Sequence, residues 1–267
     1  MENTSEIIFD QLVYSCAFET YRGHEEFIPD HFLGFQLSGE THAFYGREKV
    51  VIKDNMVVLV KRNQLIRTVK QPAKNGKYQF ISITLDQETL RQYAAENKMS
   101  STGKFPDTEK LFFGSDEFFN GYFASLLPYV DKTKTATSRL VVLKIKEAIE
   151  LILQSNPEFK NLLFDFSEPH KIDLKEFMNK NFMFNVSVEI FARLTGRSLS
   201  GFKRDFNKAF NNTPKQWLKE KRLDEAYYLI RHKNKKPSDI YLDLGFENLS
   251  HFYYSFRQKF GFTTSEV

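Results

Sequence analysis

One cysteine, Cys16, is all that 267 residues offer, so no internal disulfide can form, and with no partner cysteine a Cys-rich zinc site is excluded. A reducing compartment is the expectation. Proline and glycine are sparse, at 8 and 12 residues, too few for a collagen-like or low-complexity chain. No apolar run approaches the roughly 20 residues that span a bilayer. The first ten residues carry Glu2, Glu6 and Asp10 with no basic cluster ahead of an apolar stretch, the wrong order for a secretory signal. The chain is therefore read as cytoplasmic, with no membrane partner. Gly-x-Ser-x-Gly, a phosphate loop and a dinucleotide fingerprint are all missing, so neither an enzyme nor a bound cofactor is expected.

What is present divides unevenly. From His170 to Val267 there are 18 Lys+Arg against 11 Asp+Glu, a balance of +7, whereas the remainder carries −3. A basic module joined to a slightly acidic one points to a polyanion partner for one end only. Length favours two domains at roughly 100 to 200 residues each. Residues 27–85 read as short β-branched strands, such as Met56 to Val60 and Tyr78 to Leu85, parted by turn formers at Pro29-Asp30, Ser38-Gly39-Glu40, Lys53-Asp54-Asn55 and Lys74-Asn75-Gly76. The last of these strands, apolar on both faces toward its end, is expected to be buried on two sides. Strands at this spacing predict a small barrel or sandwich. Beyond Leu85 the period turns helical, with helices over 87–97, 116–129 and 137–154, the last carrying Leu140, Leu143, Ile145, Ala148, Ile149 and Ile152 at steps of three and four. Pro157 and Pro169 bracket the expected boundary between a domain over 1–160 and one over 170–267.

The C-terminal part reads as about seven short helices. Ser187 opens one, Ala192 gives it a small packing position and Gly196 ends it; Ser198 then caps a second. That second helix buries Phe202, Phe206 and Phe210 and exposes Ser200, Gly201, Lys203, Arg204, Asn207 and Lys208. The layout is a helix-turn-helix with a basic outer face. It recurs: Pro237 to Leu244, a turn at Gly245-Phe246, an N-cap at Asn248, then a helix exposing Ser250, His251, Tyr253, Tyr254 and Arg257 over Phe252, Phe256 and Phe260. A helix over 217–230, with Arg222, Leu223 and Ala226 at packing intervals, would hold the two units roughly 34 Å apart, one turn of DNA.

These residues resemble the AraC/XylS family of bacterial transcription regulators over residues 182–267. Ala192, Gly196, Ser198, Arg204, Phe206, Phe210 and Pro214 carry the likeness in the first unit; Arg222-Leu223 and Ala226 carry it in the linker. In the second unit it lies in Gly245-Phe246, Asn248, Ser250-His251-Phe252, Phe256, Phe260 and Gly261. The fold class this implies is α+β: an N-terminal cupin-like β-barrel or sandwich with trailing helices, then an all-α double helix-turn-helix. The resemblance also implies double-stranded promoter DNA as partner, activation rather than repression, and an N-terminal domain that dimerises and senses a small molecule or a partner protein. RNA polymerase is left open as a further partner. Under the same resemblance Leu140, Leu143 and Ile149 would face a second copy of the chain. Departures fall in the second unit: Pro237 and Tyr241 replace the usual apolar and small residues, Tyr254 stands where Arg is frequent, and Thr263-Thr264 replaces a Ser-Pro pair. They predict that this unit makes less base-specific contact than the first.

Within the DNA reading, Arg204 is the candidate for a guanine edge and Lys203 and Lys208 for phosphate. The phenylalanine triads are core, and His251 either contacts DNA or caps a packed turn. His24, His31 and His42 lack the closely spaced His-x-His pair with a following Glu seen in metal cupins, so no metal is expected. The competing function is a cupin-type small-molecule binding protein or enzyme whose C-terminal helices serve protein contacts. It differs in predicting no retention on DNA.

Overall fold

The computed structural model describes residues 4–7, 11–23, 27–46, 48–74, 76–105, 112–113, 116–130 and 137–267. His24, weighed above as a metal candidate, and Asn75 of one expected turn lie outside them. The chain divides into two compact units, one of residues 1–44 and 49–167, the other of residues 45–48 and 168–267.

The first unit is built from β1 Thr4–Ile7, β2 Leu12–Ala17, β3 Tyr21–Arg22, β4 Phe27–Ile28, β5 His31–Ser38, β6 Glu40–Tyr45, β7 Glu48–Ile52, β8 Val57–Val60, β9 Gln64–Leu65, β10 Arg67–Gln71, β11 Tyr78–Leu85 and β12 Phe112–Phe113, with α1 Gln87–Glu96, α2 Glu117–Leu126, α3 Ser138–Ser155 and α4 Lys160–Leu163. The strands make a six-stranded sheet in the order β1-β2-β11-β5-β8-β12, a four-stranded sheet β3-β10-β6-β7 and the pair β4-β9. β11 is central, antiparallel to β2 through Ile83↔Leu12 and to β5 through Ile83↔Leu33. Its Ile81, Ile83 and Leu85 are fully buried against the helices, in one core with Leu33, Phe35, Val57, Leu59, Tyr93, Phe123, Ile145 and Ile152. Its alternate positions Phe80, Ser82 and Thr84 are only half-buried, which corrects the expectation of two equally covered faces. Gly34 makes room on that side: a Cβ there would stand 2.3 Å from the Phe80 ring.

Polar side chains tie the sheets together. The buried Gln36 accepts from the Thr41 hydroxyl at 2.7 Å and donates to the carbonyls of Ser38 and Gln79 at 2.8 and 3.1 Å. The Tyr78 hydroxyl then donates to Thr41 at 2.7 Å. His31, 2% exposed, accepts at Nδ1 from the Arg62 backbone N–H at 3.2 Å. Burial, reinforced by the neighbouring Arg62 and Lys61 cations, pushes its pKa down to about 3. His42 instead pairs with Glu40 at 3.2 Å. Among the described residues no three His, Cys, Asp or Glu side chains gather as a metal site would need. Among them, too, no helix is long and apolar enough to cross a membrane.

α3 starts at the cap Thr137 and runs one residue past the expected end. It buries Val141, Ile145, Ala148, Ile149 and Ile152 on one face and leaves Leu140 and Leu143 42% and 55% exposed. Ile149 is therefore corrected: it is 0% exposed, packed within its own unit, and cannot face a partner helix.

The second unit holds α5 Leu174–Asn181, α6 Val188–Leu194, α7 Leu199–Phe210, α8 Pro214–Lys233, α9 Pro237–Ile240 and α10 Leu249–Phe260. α8 is longer than expected because Thr213 accepts from the Gln216 N–H and Pro214 fills the first turn, where no amide is needed. α9 is shorter, since hydrogen-bonded turns replace the helix over 241–245. Phe206 and Phe210 meet Trp217 of α8 at 5.6 and 4.6 Å between ring centroids. On the other side Leu223 and Ala226 of α8 pack with Ile240, Leu244, Phe246, Phe252 and Phe256.

Candidate nucleic-acid interface

Two helix pairs are set by the same local chemistry. α6 ends at Gly196, whose φ of +64° places it in the left-handed region, and a Cβ there would stand 2.3 Å from the His170 carbonyl carbon. Gly245, at φ +78°, ends the corresponding turn of the second pair, where a Cβ would approach the Met183 carbonyl oxygen to 2.7 Å. Ser198 then caps α7, its hydroxyl accepting from the Gly201 N–H at 3.2 Å, and Asn248 caps α10, accepting from His251 at 2.7 Å. Ser187 has the cap backbone conformation, but its side chain makes no cap bond to the helix amides.

Capping and burial together decide which side chains point outward. Phe202, Phe206, Phe252 and Phe256 are all 0% exposed, so the opposite faces are left to solvent. On α7 the exposed residues are Ser200, Lys203, Arg204, Asn207 and Lys208, with Gly201 half-covered beside the Ser198 cap. On α10 they are Ser250, His251, Tyr253, Tyr254, Arg257, Gln258 and Lys259. Each predicted position on these helices thus lies on an outward face or at its cap. The His251 ring lies 6.1 Å from that of Phe246 and its Nε2 is 3.4 Å from the Ser255 hydroxyl, so it packs on the turn while staying exposed.

Charge is arranged rather than scattered. Asp205 sits 3.2 Å from both Lys171 and Arg197 and 3.5 Å from Arg204. Hydrogen bonds from Lys171 and then Arg197 hold its carboxyl below the usual range. Arg197 is spoken for, because it also donates to the carbonyls of Ile172 and Thr195 at 3.1 and 2.7 Å. Arg204, 69% exposed at its side chain, keeps its guanidinium in water.

A cleft of about 850 Å³ runs between the two pairs. Lys203 and Asn207 of α7 and His251 of α10 line it, so the inner flanks of both helices open on one space. Lys215, Lys219 and Arg222 of α8 face the same cleft, opposed by Glu189 and Glu247. The lysines at 215 and 219 escape a reading of the sequence, since Lys215 precedes the helix expected over 217–230 and Lys219, on a helix assigned to packing, looks like a solvated charge. A second missed feature is the exposed run Arg231, His232, Lys233, Lys235 and Lys236. Its legible signal was the density of cations just before Pro237.

Known proteins resemble the two parts of the chain separately. A helix-turn-helix domain model matches residues 191–267, and the model of the ExsA N-terminal regulatory domain matches residues 31–163. The chain is 31% identical over 128 residues to the HTH-type transcriptional regulator ExsA of Pseudomonas aeruginosa, covering 47% of this chain and 46% of that one. It is 30% identical over 132 residues to the virulence regulon transcriptional activator VirF of Yersinia enterocolitica, covering 49% of each. The chain thus spans about half the length of the curated relatives it matches. Among solved structures, an apo form of ToxT from Vibrio cholerae aligns with a TM-score of 0.47 at 13% identity, over 100% of this chain and 98% of that one. A probable AraC family transcriptional regulator from Rhodopseudomonas palustris aligns over 35% of this chain and 88% of its own, with 29% identity and a TM-score of 0.31. Its two parts are thus similar to an AraC-type helix-turn-helix domain and to the regulatory domain of ExsA, and its homologues are AraC-family transcriptional regulators.

Proposed function

We propose that the chain is a sequence-specific DNA-binding transcription regulator. The 170–267 domain is its reader, and the 1–160 domain regulates and dimerises. The observation that carries this is the pairing of α7 with α10: two N-capped helices with buried phenylalanines and exposed polar faces, opening on a common basic cleft. Phosphate contacts from Lys203, Lys208, Lys215 and Lys219 would supply most of the affinity and base-edge contacts the choice of site. The match of residues 31–163 to a regulatory domain supports control from the first unit. Activation is the favoured direction because relatives bear that description, with promoter DNA and RNA polymerase as partners in the cytoplasm. Exposed Leu140 and Leu143 on α3 support a homodimer.

Fluorescence anisotropy of the full chain with duplex pools at several salt concentrations tests the proposal. Affinity should fall log-linearly with salt, by about 0.9 log units per neutralised phosphate per decade of salt. Enriched sequences should show two half-sites about one helical turn apart. Binding that ignores salt, or no enrichment at all, would refute it.

A further inference from the structure

α7 and α10 present equivalent faces. Counted from the caps Ser198 and Asn248, Ser200 matches Ser250, Lys203 matches Tyr253, Arg204 matches Tyr254, Asn207 matches Arg257 and Lys208 matches Gln258. The buried positions coincide too, Phe202 with Phe252 and Phe206 with Phe256. With those phenylalanines inward, the centre of the outward face is Arg204 on α7 and Tyr254 on α10. The two faces therefore share a shape and differ in chemistry.

Tyr254 is 64% exposed and Tyr253 42%, an aromatic pair in water on an outward face whose other exposed residues are polar or charged. Arg257, whose charge also reaches Glu266, is the cation that α10 presents outward, because Lys259 turns back onto α8, 2.6 Å from Asp224 and 2.7 Å from the Glu220 carbonyl. Tyr253, Tyr254 and Arg257 line a groove of about 600 Å³ with Pro237 and the 263–265 segment. The exposed cationic run ends at Lys236, the residue before Pro237 of this groove.

A phenol ring cannot make the forked pair that a guanidinium makes with guanine O6 and N7. In the major groove the one apolar feature on a base edge is the thymine C5 methyl. We infer that α10, within the DNA-binding reading on which this rests, selects an A·T-rich half-site by laying Tyr254, flanked by Tyr253, against thymine methyls. Guanine selection is left to Arg204 on α7. A methyl contact discriminates less sharply than a bidentate pair, in keeping with a second unit of lower stringency.

The experiment selects duplexes from a random pool with the full chain, then replaces each thymidine of the selected site by deoxyuridine, which removes only the methyl. In the half read by α10 each replacement should weaken binding roughly fourfold, the equivalent of one methyl group's burial. In the other half it should change nothing. Tyr254→Ala should erase the thymidine preference with an unchanged melting temperature, Tyr254→Phe should retain it, and Tyr254→Arg should shift it toward guanine. A selected site with no deoxyuridine effect in either half overturns the inference while leaving DNA binding intact. So does Tyr254→Phe proving as damaging as Tyr254→Ala, since the hydroxyl rather than the ring would then be at work. A pool without enrichment overturns the DNA reading, and the thymine assignment falls with it.

Discussion

The guanidinium of Arg222 donates to the carbonyl of Gly245 at 3.0 Å, tying the linker helix α8 to the turn of the second helix pair. The same side chain donates to the carbonyls of Phe182 and Phe184 at 2.8 and 2.7 Å, on the loop that leads into α6. One residue thus fixes both helix pairs to α8. Gly245 has to be glycine twice over, for its positive φ and because a Cβ would meet the Arg222 guanidinium at 2.8 Å.

Arg222→Ala should therefore cost about 3 kcal/mol of stability, since three carbonyls lose charge-assisted donors together. Arg222→Lys should recover little, because one ammonium cannot span what a planar fork spans. Denaturant titration of the full chain gives the stability change. DNA binding measured well below the unfolding midpoint should weaken for both variants, as the helices lose their mutual orientation.

Arg204→Ala and Lys203→Ala should separate choice from affinity. Loss of the guanidinium should cost roughly 1 to 3 kcal/mol at one base pair and relax preference there. Loss of the ammonium should weaken binding to every sequence and flatten the salt slope by about one. Competition assays with single-base operator variants at two salt concentrations read both effects.

Much of the second unit was legible because its signals are local. Ser198 and Asn248 announce helix starts, Gly196 and Gly245 announce stops, and phenylalanines at steps of four declare which face is inward. The first unit is less transparent, since β11 acquires its neighbours β2 and β5 from distant parts of the chain. The link of Gln36, Thr41 and Tyr78 exists only once those strands have paired. Ile149 was misplaced for a related reason. α3 is apolar on more than one face, and spacing by itself does not say which face its own domain claims.

His31 gives a pH dependence with a definite sign. Its folded pKa of about 3 lies far below the ordinary 6.5, so the folded state holds it neutral while the unfolded chain takes up a proton. The neutral group costs nothing above pH 6.5; as pH falls below that value, stability drops by up to about 1.4 kcal/mol per unit until pH approaches the folded value. At pH 5 the loss from this residue should be roughly 2 kcal/mol. His31→Gln should flatten the slope between pH 6.5 and 5, as read by urea denaturation across that range. An unchanged slope would place the proton uptake elsewhere.

Leu143 and Ile149 lie on the same helix and should respond oppositely to charge. Leu143 is 55% exposed, and glutamate is a good helix former, so Leu143→Glu, alone or with Leu140→Glu, should leave unit 1 folded. If α3 forms the seam between two copies, the double variant places four carboxylates in it. The dimer dissociation constant should then rise at least tenfold, about 1.4 kcal/mol. Ile149→Glu would bury a charge in a closed core and should unfold the unit instead. Sedimentation velocity paired with thermal melts distinguishes the two effects. A double variant that stays folded and stays dimeric removes α3 from the interface, and one that loses its melting transition along with its dimer shows that Leu140 and Leu143 are needed for folding.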